Sequence, residues 1–240
     1  LVKRETWFKK KRRLAYMIYI CKIPSPAGQL TLSSNGKSIT GLWIEGQKYY
    51  GSTLDRNMLE RIGGGAWKLK EPEEVPGLYE ENEELPVFDE ARTWLDGYFL
   101  GRDPGFLPSL EPQGSAFRQM VWKILCEIPY NRSTTYGEIA KKVAVLLGRD
   151  SMSAQAVGGA VGHNPISIMI PCHRVMGADG SLTGYAAGME VKKMLLELEN
   201  RGTENKRPEN RIQENRIQEY RIQENRIPEN RRPETGDVMK

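Results

Sequence analysis

Apolar and β-branched residues first gather in short runs, at Tyr16–Ile23, Gly28–Ser33 and Ser38–Ile44, and these predict three β-strands. Pro24-Ser25-Pro26-Ala27 and Ser34-Asn35-Gly36-Lys37 interrupt the runs, and the Asn-Gly pair in the second break is a hairpin turn signal. Residues 51–84 follow no single period. Helical spacing takes over at Leu85–Leu100, where Val87, Phe88, Ala91, Trp94, Leu95 and Tyr98 share a face and Pro86 fits the first turn. The proline- and glycine-rich stretch Gly101–Gln113 reads as an interdomain linker. Beyond it, Phe117, Met120, Val121, Ile124 and Leu125 predict an amphipathic helix over Phe117–Glu127. Thr135-Tyr136-Gly137-Glu138 fits a capping box opening a second helix to about Leu147, and a third is capped at Ser151 or Ser153. Three such helices outline a helix-turn-helix, a signal that many helical bundles share.

The tail is of another kind. Arg211-Ile212-Gln213-Glu214-Asn215 opens a five-residue repeat, and five residues advance a helix by about 500°, so the isoleucines build no apolar face. A solvated tail over 201–240 is the expectation. The organisation read from the sequence is a basic extension (1–16), an N-terminal α/β domain with linker (17–111), a C-terminal domain (112–200) and this tail.

Charge sharpens that division. Residues 1–13 carry seven Lys or Arg against one Glu, whereas 14–111 carry nine against fifteen acidic residues. Residues 112–200 are mildly basic, which permits nucleic-acid binding without demanding it. The run Lys9–Arg13 ahead of Leu14–Ile20 reads as a solvated basic extension rather than a signal peptide, and no stretch has the roughly 20 apolar residues of a membrane span. Cys21, Cys126 and Cys172 share neither metal-type nor redox spacing, so a reducing, cytoplasmic setting is expected. His163 and His173 are the two histidines of the chain, too little material for a Cys/His zinc site, and no metal or cofactor is expected.

The candidate chemistry lies between Ser153 and Tyr185. Ser153–Gly162 is almost all small residues, and interior glycines cost a helix about 1 kcal/mol each relative to alanine. Either tight packing on a neighbouring helix or close approach to a narrow DNA groove would explain so thin a helix. His163-Asn164-Pro165 predicts a turn and Ile166–Ile170 a buried strand, leading into Pro171-Cys172-His173-Arg174-Val175. A lone Cys there is ordinarily a buried structural thiol, while Cys followed by His points to an activated nucleophile. Neighbouring side chains on a strand face opposite ways, so His173 would reach Cys172 only through a water or after a kink at Pro171. A carboxylate from elsewhere in the chain would have to orient the imidazole.

Pro171–Val175 resembles the active-site signature of the O6-alkylguanine-DNA alkyltransferases, the methylated-DNA–protein-cysteine methyltransferases. Phe117–Trp122, Ile128-Pro129-Tyr130, Thr135–Ala140, Ala156–Ala160, Asn164-Pro165 and Gly184-Tyr185 resemble that family as well, in order and at compatible spacing. The similarity is strong over 112–200 and looser over 17–111. It implies an α/β protein with a ribonuclease H-like N-terminal sheet domain and a C-terminal helical, winged helix or helix-turn-helix-like, DNA-binding domain. The implied activity is stoichiometric transfer of an alkyl group, mainly methyl, from O6-alkylguanine and also O4-alkylthymine in double-stranded DNA. The acceptor is the protein's own cysteine, and the expected form is a monomer. By the same resemblance Cys172 is the acceptor, His173 its base through a water, and Glu199 the carboxylate that orients His173, giving a lowered thiol pKa. Asn164 shapes the turn, and Tyr136 contacts the flipped nucleotide and protonates the leaving guanine. Val161, Val175, Leu182, Tyr185, Ala186 and Ala187 would form the base pocket, with Arg174 structural, bracing the loop. Thr135, Ala154, Gln155, Ala156, Gly158 and Gly159 would meet DNA. Two positions depart from the family pattern: Gln155 replaces an arginine that fills the gap left by the flipped base, and Ala187 a frequent glycine. A cysteine hydrolase, which would turn over, is the rival enzyme class; a non-catalytic lesion binder would lack the cysteine.

Overall fold

The alternation of the first strands puts apolar side chains on both faces of one sheet, and both faces are covered. The structure is a computed structural model that describes residues 17–201; the basic extension and the repeat tail fall outside the described residues. Strands β1 (Ile18–Ser25), β2 (Gly28–Ser34) and β3 (Ile39–Ile44) form an antiparallel meander within a residue or two of the expected bounds. A short antiparallel pair, β4 (Leu59–Arg61) with β5 (Trp67–Leu69), stands apart, and β6 (Tyr79–Glu81) joins the free edge of β1 in parallel, giving the order β3-β2-β1-β6. These three-residue strands are what the sequence left unread between 51 and 84.

Cys21, Ile23, Leu30, Leu32, Leu42 and Ile44 point to one face of the sheet, where helix α1 (Pro86–Phe99) lies with Phe88, Ala91, Trp94 and Tyr98 turned inward. Ile20 and Trp43 point to the other face and pack with Tyr50, Met58, Leu59, Leu69 and Tyr79 in a second cluster. Gly41 lets the Trp43 indole lie flat over the strand, since a Cβ there would sit inside the ring.

The first cluster does not stop at the sheet. It runs without a break into α2 (Ala116–Cys126), α3 (Tyr136–Leu146), α4 (Ala154–Gly162) and α5 (Met189–Arg201), through Trp122, Ile139, Val157, Ile168 and Leu195. The stretch taken as a linker lies against the sheet: the Ile39 N–H donates to Ser109 O and the Glu111 N–H to Ile39 O, both at 2.8 Å. The capping box at α3 is present, with Thr135 Oγ1 accepting from the Glu138 N–H and the Glu138 carboxylate accepting from the Thr135 N–H. Ser153 caps α4. A two-residue parallel pair, β7 (Thr134–Thr135) with β8 (Val175–Met176), ties the start of α3 to the segment after Cys172. The architecture is mixed α/β, as expected. No described helix is long and apolar enough to cross a membrane.

Candidate active site

Ile166–Ile170 is not a strand. The segment is buried but coiled, and Ile168 holds φ at +69°, a strained conformation for a β-branched residue. Two sets of bonds hold it there. Leu42 of β3 donates its N–H to Pro165 O at 2.9 Å and accepts from the Ser167 N–H at 2.8 Å, so the loop docks on the sheet edge. Asn164, itself buried, fills the loop from within. Its Nδ2 donates to the carbonyls of Ile166 (3.2 Å) and Ile170 (2.8 Å) and to Cys172 Sγ (3.1 Å), while its Oδ1 accepts from the Ile166 N–H (3.0 Å).

Because the chain turns at Pro171 (φ −81°, ψ 61°), Cys172–Arg174 is a single 3₁₀ turn rather than the end of a strand. Of the two routes open to Cys172 and His173, a bridging water or a kink after Pro171, the kink is present, and the two side chains are no longer neighbours on an extended strand. Cys172 is 4% exposed, and its thiol lies inside the core. Burial pushes it up to about 11, although the Asn164 hydrogen bond and the Lys192 charge pull the other way. The lowered thiol pKa expected from a Cys–His–Glu relay is thus not the resting condition of this site.

His173 and Glu199 meet as expected, fully buried. His173 Nε2 lies 2.7 Å from Glu199 Oε1, and His173 Nδ1 has no hydrogen-bond partner among the described residues. Burial drives the imidazole below its ordinary value against the opposing pull of Glu199. Arg174 Nε and Nη2 grip the Glu199 carboxylate at 3.0 Å each while Nη1 donates to Ile128 O at 2.7 Å, so it braces Glu199 and the segment after α2. The Asn131 N–H donates to Glu199 Oε2 at 3.0 Å. Burial raises the Glu199 carboxyl, but the His173 and Arg174 contacts outweigh it and hold the group at about 2.

Tyr136, at the start of α3, is half-buried and directs its hydroxyl to the carbonyls of Thr183 (3.3 Å) and Gly184 (3.5 Å). It therefore faces the 182–188 loop, with burial raising its pKa. In that loop Leu182 is exposed and Tyr185, Ala186 and Ala187 are half-buried, with Ala186 O accepting from the Lys48 N–H at 2.8 Å. Two expected pocket residues sit differently. Val161 lies on the buried side of α4 (2% exposed), and the Val175 carbonyl, expected to read the base, already accepts from Lys192 Nζ at 2.6 Å. Ala154, Gln155, Ala156 and Gly159 lie together on the exposed side of α4, with Gly158 and Thr135 half-buried beside them.

Two site residues escaped the sequence reading. Lys192 is wholly buried and staples the loop to the turn after Cys172, donating to Val175 O and, at 2.7 Å, to Thr183 O. Tyr98 reaches from α1 to donate its hydroxyl to Glu199 Oε1 at 2.8 Å. The signal for Lys192 was present: with Leu195 and Glu199 it occupies positions i, i+3 and i+7 of one helix face, so a cation stands in an apolar stripe. Among the described residues no group of three or more His, Cys, Asp or Glu gathers as a metal site would require.

Residues 116–201 match the family model described as the 6-O-methylguanine DNA methyltransferase, DNA binding domain. The chain is 38% identical over 194 residues to the methylated-DNA–protein-cysteine methyltransferase of Haemophilus influenzae, covering 78% of this chain and 92% of that one. It is 39% identical over 183 residues to the Mycobacterium tuberculosis enzyme of the same name, covering 76% and 93%. The crystal structure of Mycobacterium tuberculosis OGT in complex with DNA superposes with a TM-score of 0.58 at 36% identity, over 77% of this chain and 94% of that one. Reach across nearly the whole length of these relatives, together with a buried Cys-His-Glu arrangement, places the chain in one family: it belongs to the methylated-DNA–protein-cysteine methyltransferases.

Proposed function

We propose that the protein repairs double-stranded DNA by moving the alkyl group, chiefly methyl, from guanine O6, and also from thymine O4, onto Sγ of its own Cys172, once per molecule. One observation carries the assignment of residues. Cys172 and His173 share a single tight turn, and Glu199 takes Nε2 of that histidine, which leaves Nδ1 to accept the thiol proton. In the transfer the S–C bond forms as the C–O6 bond breaks. The thiol proton passes to His173, and the departing base, which keeps the electron pair, is protonated from the Tyr136 hydroxyl. A proton exchanged with solvent restores both groups. The product is a thioether with no leaving group, so the protein is spent.

The base must leave the duplex to reach a thiol this deeply buried, and α4 is the element suited to delivering it. A Cβ added at Gly159 would meet nothing within 4 Å, and one at Gly158 would make ordinary contact with Tyr136 at 3.7 Å. Packing within the protein therefore does not demand either glycine, which favours close approach to a DNA groove as the reason for so thin a helix. Gln155, exposed on that face, has the length to fill the space vacated by the base but lacks the charge of arginine. The pocket would be walled by Val175, Leu182, Tyr185, Ala186 and Ala187. We read the sheet with α1 as a ribonuclease H-like unit over 17–111 and α2–α4 with β7–β8 as a winged helix-like unit over 112–200, supported by the parallel β6 edge and the small β7–β8 pair.

Mass spectrometry after exposure to a duplex containing O6-methylguanine tests the reading. The expected result is one added methyl per protein, on the peptide holding Cys172. More than one methyl consumed per protein, or modification elsewhere, would overturn it.

A further inference from the structure

We propose that Tyr98 is a positioning residue of the alkyl-transfer site: its hydroxyl, brought in by α1, holds the His173–Glu199 pair so that Nδ1 of His173 stays the proton acceptor. The proposal rests on the function given above and deepens it. Three polar atoms form a closed triangle, with His173 Nε2 and Glu199 Oε1 2.7 Å apart, Tyr98 Oη 2.8 Å from Oε1, and Tyr98 Oη 3.2 Å from Nε2. Tyr98 and His173 are fully buried and Glu199 is 1% exposed, so water does not compete for these bonds.

The triangle has one consistent assignment of protons. Glu199 carries none, because His173 and Arg174 hold its carboxyl at about 2 despite burial. The tyrosine proton must then point at Oε1, the shorter and charged contact. With that proton committed, Oη turns lone pairs toward Nε2. A bare Nε2 would face lone pairs on both sides, whereas an Nε2–H meets two acceptors. The imidazole is thereby fixed as the Nε2–H tautomer with its lone pair on Nδ1. Removing the hydroxyl takes a donor from the carboxylate and leaves Glu199 Oε1 as the single acceptor of the triangle holding Nε2–H, so the imidazole is less firmly oriented.

The tyrosine ring is held firmly enough to impose this geometry. It stacks on Trp94 (centroids 5.1 Å apart) and meets Phe99, Tyr130 and His173 edge-on at 5.5, 6.1 and 6.3 Å. The titratable and charged groups around the triangle are Cys172 and Arg174 of the same turn, Lys192 of α5, Tyr130 after α2, and Tyr185 of the 182–188 loop. Tyr98→Phe changes none of these and keeps the ring.

The experiment compares wild type, Tyr98→Phe and Val87→Ala, a cavity-forming change on the same helix remote from the triangle. Two rates are read as functions of pH. One is methyl transfer from an O6-methylguanine duplex. The other is carbamidomethylation of the Cys172 peptide by iodoacetamide in the absence of DNA. For Tyr98→Phe both rates should fall about tenfold, the worth of one hydrogen bond to a charged group, and the rise with pH should move to higher pH. Val87→Ala should unfold at lower temperature yet keep both profiles. Unchanged rates and an unchanged pH limb in Tyr98→Phe would overturn the proposal, as would an equal loss in Val87→Ala. If wild type reacts with iodoacetamide but accepts no methyl from DNA, the function proposed above fails, while the iodoacetamide comparison still decides the role of Tyr98.

Discussion

Replacing Glu199 by glutamine removes one charge and almost no volume, yet the structure predicts a large loss of stability with a distinctive pH dependence. Oε1 accepts from His173, Tyr98 and Arg174 Nη2, and Oε2 from Arg174 Nε and the Asn131 N–H. Either orientation of a glutamine amide sets its NH₂ against buried donors. The carboxyl is held at about 2 instead of the ordinary 4.5, which corresponds to about 3 kcal/mol in favour of the folded, ionised form. Breaking a buried Arg–carboxylate pair costs about 3–5 kcal/mol, an independent figure that agrees. For a chain of this size that is a fall in Tm of roughly 6–12 °C at pH 7. The sign of the pH effect follows from the depressed pKa. Glu199's contribution is fully present above its unfolded value and is lost as pH falls toward its folded one, so the gap between wild type and Glu199→Gln should close from about pH 5 downward and be more than halved by pH 3. Thermal unfolding followed by circular dichroism at pH 7, 5, 4 and 3 measures it. A gap below about 1 kcal/mol at pH 7, or one that stays constant to pH 3, would refute the reasoning.

Other parts of the site make equally concrete demands. Asn164→Ala strips partners from the buried Ile166 N–H and from two carbonyls, and should lower stability by roughly 3 kcal/mol and slow methyl transfer at least tenfold; a wild-type Tm would show that the loop holds itself. Lys192→Met should release the 177–188 segment, read as faster amide hydrogen exchange there, and unchanged protection would contradict the stapling role. Gln155→Arg should tighten binding to duplex DNA and steepen the dependence of log affinity on log salt by about one, and an unchanged slope would remove the argument from charge.

How much of this was legible in the sequence depended on whether a residue's partner was local. Pro86 signals a helix start through its fixed φ, and Thr135 with Glu138 and Ser153 through bonds within four residues, so those starts are legible to within about two residues. Residues 59–61, 67–69 and 79–81 gave no such signal, because strands of three residues persist only through the second apolar cluster around Trp43 and Met58. The run Ile166–Ile170 was misread for a related reason. Apolar composition reports burial, and extension is a separate property. Here burial is achieved in a coiled loop because Asn164 and Leu42 satisfy its backbone. Cys172, His173 and Glu199 were identified through resemblance, whereas Tyr98 passed as an ordinary core position. Its ring does belong to the apolar face of α1, and only the fold reveals what its hydroxyl meets.

The protonation state of the site bears on how a single-use cysteine is protected. Burial holds the Cys172 thiol up at about 11 and the imidazole below its ordinary value, so moving the proton from sulfur to His173 in the resting protein is uphill before the attraction of the resulting charges is counted. Each product charge has a counter-charge in place: Glu199 beside the imidazolium, and the Lys192 ammonium acting on the thiolate. The resting site therefore stores no thiolate. It holds a neutral Cys172–His173 pair inside fixed charges that become useful only as the S–C bond forms and the proton moves. A stray electrophile meets a buried, protonated thiol, whereas a lesion seated in the pocket excludes water and strengthens those same charges. On this account the rate at which Cys172 reacts with iodoacetamide should remain low at neutral pH and climb toward pH 11, while transfer from O6-methylguanine is already fast at pH 7. A thiol that iodoacetamide modifies rapidly at pH 7 would mean that the thiolate is preformed and that burial does not guard it.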